Sequence, residues 1–413
     1  MAEYFDSLET RDPEERERAL MAALPRQIEH AKKNAPAFAK FLAGVDPREI
    51  TSRKALAQLP VTRKSDVKDL QQDAPPFGGL VATAPGRLAR IFVSPGPTNE
   101  PEGARPDYWR TARALFAAGF RPGDILQNCF TYHFTPAASM VEGGALKLGC
   151  AVIPAGVGQT EMQVQAMSTL KPAGYCGTPS FLKIIVEKAQ EMGADISSLK
   201  KACVAAEALP PSLRQWLKDH GLKTVLQWYG TADLGQIAYE SEAMEGMILD
   251  EGILVEIVRP GTGDPVTECE VGEVVVTTFG TDYPLVRFGT GDLSAAMPGI
   301  SPCGRTNVRI RGWMGRADQN TKVKGMFVHP GQVAEVLKRH REIVKARLVV
   351  DNPGGQDRMT LHCETSAIPS EVLAGAIAES MRELTKLRGE VAFRKPGELP
   401  NDGKVIEDAK KYD

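Results

Sequence analysis

A chain of 413 residues with 42% hydrophobic and 25% charged side chains is too long for one ordinary core, so it reads as a globular protein of two or more domains. A formal net charge of −2 leaves no electrostatic footprint for nucleic acid or an anionic membrane, and nowhere is there the run of about 18 apolar residues that a membrane-crossing helix needs. Seven cysteines without CxxC or CxxH spacing suit reduced thiols in a cytoplasm, not a disulfide framework or a zinc site, and the acidic opening is not expected to be a signal peptide.

In chain order, residues 13–45 carry apolar side chains at helical spacing, and Asp12 followed by Pro13, Glu14 and Glu15 predicts a helix start. A short helix from Arg53 to Leu59 behind Ser52, then a turn and a helix start in LPVTRKSDVKDL, complete a helical layer. Ile91–Val93 predicts a strand feeding the loop SPGPTNEP, whose glycine and hydroxyls can turn donors towards a phosphate. Pro95 and Pro97 remove two N–H donors, and Glu100 brings the wrong charge for a polyphosphate, so a plain surface loop fits the string equally well.

From 107 to 240 strands and helices alternate. A helix is predicted over Tyr108–Ala118, a strand at DILQNCF, a helix in TPAASMVEGGALKLG, a buried strand at CAVIPAG and a helix in QTEMQVQAMSTLKP. This rhythm predicts an α/β fold with a mainly parallel sheet flanked by helices. Sites in such sheets lie beyond the carboxyl ends of the strands. Tyr132 and His133 follow one strand there, although a lone histidine in that position is more often structural. Three further strands run into Gly177–Ser180, Ala205-Ala206-Glu207 and Tyr229–Asp233, loops that can floor a flat ring, with Asp233 able to hold a divalent cation. From 252 the texture becomes all-β. LVRFGTGDLS then places Arg287, Gly289, Gly291 and Asp292 at a strand end opening into a tight turn, and its carboxylate can hold a ribose diol by two hydrogen bonds; Gly-Thr-Gly-Asp is also a common β-turn string. GRADQNTKVKG, with Arg316 and Asp318, reads as a hinge, and a compact α+β module follows it to Lys404 and the C-terminal residues.

Taken together the motifs resemble the phenylacetate–CoA ligase family of the adenylate-forming acyl-CoA synthetases, over essentially the full length. SPGPTNEP sits where the family's phosphate loop belongs, and LGCAVIPAGVGQTEMQVQ, GTPSFL, AAEALPPSLRQW, QWYGTADLG, RFGTGDLS, CGRT and GRADQNTKVKGMFVHPGQV follow in the family's order. The resemblance implies a large N-terminal adenylation domain over residues 1–317, with a small β subdomain, and a small mobile C-terminal domain over 318–413. It implies ATP-dependent activation of a carboxylic acid, aromatic by family default, to an acyl-adenylate, then transfer to CoA, with Mg²⁺ required and a homodimer expected.

Residue by residue, the resemblance gives Ser94, Gly96 and Thr98 to the β- and γ-phosphates and Ala206 and Glu207 to the adenine. Tyr229 and Gly230 would lie beside the ring and Thr231 near the α-phosphate. Asp292 would hold the ribose with Arg316 close by, Asp318 would be the hinge, and Lys404 the adenylation lysine. Tyr132, His133 and Ala205 would line the acid pocket, Gly325 would meet CoA, and Asp233 would hold Mg²⁺. Some members carry a cysteine-rich zinc site; here only Cys303 remains, with Ser241 and Ser301 in ligand positions, so no zinc is expected. Glu100 stands where the family favours lysine, which exchanges attraction for repulsion beside a tetra-anion. Two other readings follow from that loop: a non-catalytic relative that binds a nucleotide or acyl ligand, and an adenylating enzyme with an acceptor other than CoA.

Overall fold

The structure, a computed structural model, describes residues 3–94, 98–317, 321–324, 326–328, 330–353, 356–400, 402 and 404–410, without the side chains of Ser65, Lys322 and Phe327. Gly96, Asp318 and Gly325, expected at the phosphates, the hinge and CoA, lie outside the described residues. The chain forms two compact units, one of Met1–Val255, Val276–Phe288 and Met297–Gly312, the other of Glu256–Val275, Gly289–Ala296 and Trp313–Asp413.

In the first unit the N-terminal helix spans Pro13–Asn34, and the Asp12 carboxylate accepts the Glu14 and Glu15 N–H groups at 2.9 and 3.0 Å. The predicted continuation to residue 45 breaks at Ala35. Pro36 cannot donate to the helical ladder and instead occupies the first turn of a new helix, Pro36–Phe41. Leu24, Ile28 and Ala31 form the buried stripe of the first helix, and Phe38 is buried on the second.

The main sheet runs, from its edge, through Ala151–Pro154, Ile125–Asn128, Gly174–Gly177, Lys201–Val204 and Thr224–Thr231, all parallel. Gly235–Tyr239, Met247–Leu249 and Arg309–Ile310 extend it antiparallel. Helices Ala137–Leu148, Thr160–Leu170, Pro179–Glu191 and Pro211–Asp219 lie between successive strands. Alternate strand residues feed two separate buried clusters. Leu126, Cys176, Cys203 and Leu226 pack with Val141, Ala145 and Leu148, while Tyr175, Ala202, Val204 and Val225 pack with Val164, Leu182, Ile185 and Leu217. A period of two with an apolar cluster on each side is the signature of a sheet covered on both faces.

Two further predicted elements are corrected. Ala151–Pro154 is an edge strand, partly exposed, because only Ile125–Asn128 pairs with it. The helix expected over Tyr108–Ala118 covers only Ala112–Ala117, since Asp107 and Arg110 take positive φ values of 48° and 66° that no helix admits.

Strands Ile253–Val258 and Phe288–Ser294 carry the chain from the first unit into the second, and Gly272–Thr278 carries it back. In the second unit Ile343–Asp351 is central to a four-stranded sheet, paired antiparallel with Arg358–Thr365 and parallel with Ile406–Asp408, while Glu390–Arg394 closes the far edge. Helices Pro330–Arg339 and Glu371–Thr385 bury Val333, Val336, Ile377 and Met381 against Leu348, Val350, Leu361 and Cys363. This is the α+β module expected after the hinge sequence.

Candidate active site

In the first unit, Ser94 ends strand Arg90–Ser94 and Thr98 begins strand Thr98–Glu102, the two pairing as a hairpin with Ser94 opposite Thr98 and Val93 opposite Asn99. The loop expected from Ser94 through Glu100 is therefore shorter than predicted, because Thr98, Asn99 and Glu100 already belong to the ladder. Gln71, on helix Lys64–Asp73, pins the hairpin by donating to the Asn99 carbonyl at 2.9 Å and accepting its N–H at 2.8 Å. The Ser94 and Thr98 hydroxyls both donate to Glu100 Oε1 at 2.7 Å. Glu100 is wholly buried, and its carboxyl is pushed up to about 7, by burial first and then by the Asp233 carboxylate.

Asp233 follows the end of Thr224–Thr231 in the turn to Gly235–Tyr239, and its Oδ2 accepts from Lys64 Nζ. The Asp233 side chain is fully buried, and among the described residues its Oδ1 has no hydrogen-bond partner, nor does Glu100 Oε2. Two hard oxygens of this kind suit Mg²⁺, which favours carboxylate and water. Among the described residues no group of three His, Cys, Asp or Glu side chains gathers to hold a metal.

Tyr229, Gly230 and Thr231 are the last residues of their strand and not a loop. A bulge falls between Tyr229 and Gly230, and a Cβ on Gly230 would meet the Gly235 carbonyl at 2.3 Å, so only glycine lets the two backbones approach. The Thr231 hydroxyl accepts the Leu234 N–H at 3.2 Å. On the neighbouring strand end, Ala205 is buried and its N–H reaches the Gly177 carbonyl at 3.2 Å. Ala206 has a φ of 68°, which turns the chain out of the sheet, and the exposed Glu207 has its carbonyl held by Gln227 at 2.9 Å.

Tyr132 lies beyond strand Ile125–Asn128, donating to Glu142 at 2.9 Å and accepting from Asn128 at 3.0 Å; burial and Glu142 raise its phenol above the usual range. His133 is exposed at the same loop. Cys303 sits against Ser301 Oγ at 3.1 Å and Arg305 at 3.6 Å. Burial pushes this thiol up, and hydrogen bonds from Ser241, Ser301 and Arg305 outweigh it and leave the thiol below its usual value.

In the second unit, Asp292 belongs to strand Phe288–Ser294; the turn expected at this motif is not present. Gly291 takes a φ of 74° inside the strand, which continues because Thr290 Oγ1 bonds the Val274 carbonyl at 3.0 Å and the Leu293 N–H bonds Gly315 at 2.8 Å. Asp292 Oδ1 accepts from Arg316 Nη1 at 3.0 Å and from the Trp313 indole at 3.1 Å, and a backbone bridge joins Asp292 to Arg316. Lys404 is exposed on a cleft also lined by Arg259, Glu270, Val333, Leu337 and Lys345. Its loop is held on both sides by the buried Arg347, which bonds Asp402 and, at 3.0 Å, Glu407.

Lys64, Tyr283, Trp313 and Arg347 escaped the sequence reading. Lys64 alone carried a signal, the RKSD string at a helix start, but its partner lies 169 residues away.

The fold and these strand-end groups define a class. A family model for AMP-binding enzymes matches residues 96–281. The chain is 32% identical to the phenylacetate-coenzyme A ligase of Thermus thermophilus over 94% of its length and 91% of the relative's. It is 29% identical to the enzyme of that name from Aromatoleum evansii, over 87% of this chain and 83% of that one. A solved open conformation of 2-hydroxyisobutyryl-CoA ligase, in complex with its acyl-AMP and CoA, superposes with a TM-score of 0.71 at 24% identity, over 95% of this chain and 91% of that one, a likeness of fold. The chain belongs to the phenylacetate–coenzyme A ligase family of AMP-binding enzymes.

Proposed function

We propose that the protein activates a carboxylic acid with ATP to an acyl-adenylate and pyrophosphate, then passes the acyl group to CoA, releasing acyl-CoA and AMP. The observation that carries this reading is similarity to CoA ligases along nearly the whole chain, both units included. The substrate proposed is an aromatic, phenylacetate-like acid, and the protein is proposed to work in the cytoplasm as a homodimer.

In this scheme Asp292 accepts the ribose hydroxyls, oriented by Arg316 and Trp313. Tyr229, Gly230, Ala206 and Glu207 border the adenine, and Thr231 lies near the α-phosphate. Tyr132, His133 and Ala205 line the acid pocket. Ser94, Gly96 and Thr98 face the outer phosphates. Lys404 delivers its ammonium to the charge that develops when the carboxylate attacks the α-phosphate. Mg²⁺, held through Asp233, supplies charge neutralisation on the phosphates when bound. The smaller domain, residues 318–413, turns about Asp318 between the half-reactions and brings Gly325 to CoA.

One observation favours a second reading, that of a non-catalytic nucleotide- or acyl-binding relative: the hydroxyls of Ser94 and Thr98 are already engaged by Glu100. Pyrophosphate release with Mg-ATP across a panel of aryl and short acyl acids, with and without CoA, separates the readings. Acid-dependent release with thioester formation is expected. Release without thioester points to another acceptor, and no release from folded protein supports the second reading.

A further inference from the structure

The four-stranded sheet of the second unit turns one face to its helices and carries charge on the other. Alternation sends Leu348, Val350, Leu361 and Cys363 to the helices, and so sends Arg347, His362 and Glu364 the opposite way. Side chains of this second face fasten the residues that lead to Lys404. Glu364 Oε1 accepts the Leu399 N–H at 2.5 Å, and the Pro400 carbonyl accepts from Lys345 and Arg347, both at 3.2 Å. Arg347 also holds Asp402, whose Oδ1 in turn accepts the Lys404 N–H at 3.1 Å. His362 lies directly opposite Arg347 in the ladder, with Ala392 level with it on the other neighbouring strand. Its Nδ1 is buried and has no hydrogen-bond partner among the described residues, a position in which polar atoms are normally paired.

We propose that His362 is a positioning residue for Lys404 that serves only as the neutral ring: uncharged, it leaves the Arg347 guanidinium to hold Asp402 and through it the Lys404 backbone, whereas an imidazolium beside Arg347 and Arg394 loosens that hold. The charged groups on this face come from each strand. Ile343–Asp351 supplies Arg347, with Lys345 level with Glu364; Glu390–Arg394 supplies Arg394, also level with Glu364, and Glu390, level with Thr360; Ile406–Asp408 supplies Glu407. Of the carboxylates, Glu407 and Asp402 are bonded to Arg347, and Glu364 to Leu399. Burial and then Arg394 hold the imidazole below its ordinary 6.5, with Glu407 opposing them and Arg347 adding to them. An opened segment therefore takes the proton at about 6.5 and the fastened one only at a lower pH, so fastening weakens as pH falls from 6.5 to the lower value and levels off below it. That this sets an adenylation rate rests on the ligase reading; the protonation-dependent hold on Leu399, Pro400 and Lys404 does not.

The test is amide hydrogen exchange of the full-length protein from about pH 7.5 to 5.5, corrected for intrinsic rates, with the His362 ring followed by NMR over the same range. Protection of peptides that contain Leu399 and Lys404 should fall severalfold on acidification, with its midpoint at the His362 titration. In His362→Gln, which keeps a neutral polar side chain, protection should hold steady across the range. Arg394→Gln should raise the His362 midpoint towards 6.5, because a facing cation is removed. The adenylation rate should fall over the same window in wild type and not in His362→Gln. Protection in wild type that ignores pH, or that falls equally in a His362→Gln protein shown by circular dichroism to be folded, overturns the proposal. If His362→Gln does not fold, a His362 midpoint that fails to rise in Arg394→Gln overturns it instead. A protein that shows the pH-dependent hold but forms no adenylate at any pH contradicts the ligase reading and leaves the role of His362 in the hold standing.

Discussion

Glu100 carries a fully buried carboxyl, and burial together with the Asp233 carboxylate pushes its proton affinity up. In the string SPGPTNEP it is a misplaced negative charge; folded, it is the buried acceptor that binds Ser94 and Thr98. That bonding depends on hairpin register, which the string does not display; the glycine-flanked motif at Asp292 is local, yet it reads as a turn where the chain forms a strand. Raising the Glu100 carboxyl from 4.5 to about 7 has a definite sign. Below pH 4.5 the group is protonated whether the chain is folded or not. Between 4.5 and 7 the folded state holds the proton that the unfolded state releases, so stability falls as pH rises through this window, by about 3 kcal/mol in all, and levels off above it. Glu100→Gln keeps the acceptor for both hydroxyls and removes the charge. With chelator present it should raise stability by about 1–3 kcal/mol at pH 8 and much less at pH 5, measured by urea unfolding. At the proposed ribose site, Asp292→Ala should raise the KM for ATP at least about tenfold in steady-state kinetics while leaving a folded protein, since a charged hydrogen-bonding group contributes about 1.5–3 kcal/mol.

At the scale of elements, hydrophobic alternation made the parallel sheet and its helices readable, and the α+β end module too, because periods of two and 3.6 follow directly from backbone geometry. The misread elements have local causes: Pro36 split one helix, Asp107 and Arg110 delayed another, and an edge position exposed Ala151–Pro154. What no period reveals is a long-range tether such as Arg347. This buried residue joins strand Ile343–Asp351 to the residues on either side of Lys404 through Asp402, Glu407 and the Pro400 carbonyl at 3.2 Å. Asp402 and Glu407 are each more than a third exposed, so the stabilisation is modest, about 1–2 kcal/mol. Arg347→Ala should therefore cost little in melting temperature yet lower the adenylation rate severalfold through a less well-placed Lys404. Arg347→Lys should recover the rate only in part, because one ammonium cannot bridge both carboxylates as a guanidinium does.

For the whole molecule, the ordered set of motifs pointed to the family before any coordinates did, since single motifs are weak but their sequence along the chain is restrictive. The choice of acid was not legible: Tyr132 is committed to Asn128 and Glu142, and among the described residues the exposed His133 side chain displays no partner that would select a substituent. Lys404→Ala separates the half-reactions. It should lower acyl-adenylate formation by about a hundredfold or more, as expected when a transition-state charge partner is removed, without unfolding the protein. Unchanged adenylation in this variant would remove Lys404 from its assigned role. The proposed reaction turns on an acyl-adenylate that CoA then consumes. The most direct measurement is a single-turnover experiment with wild-type protein, Mg-ATP and the best acid, read by mass spectrometry before and after CoA is added. The expected result is protein-bound acyl-adenylate that converts to acyl-CoA and AMP on the chase. Adenylate that survives the chase, or none from a folded protein that binds ATP, would contradict it.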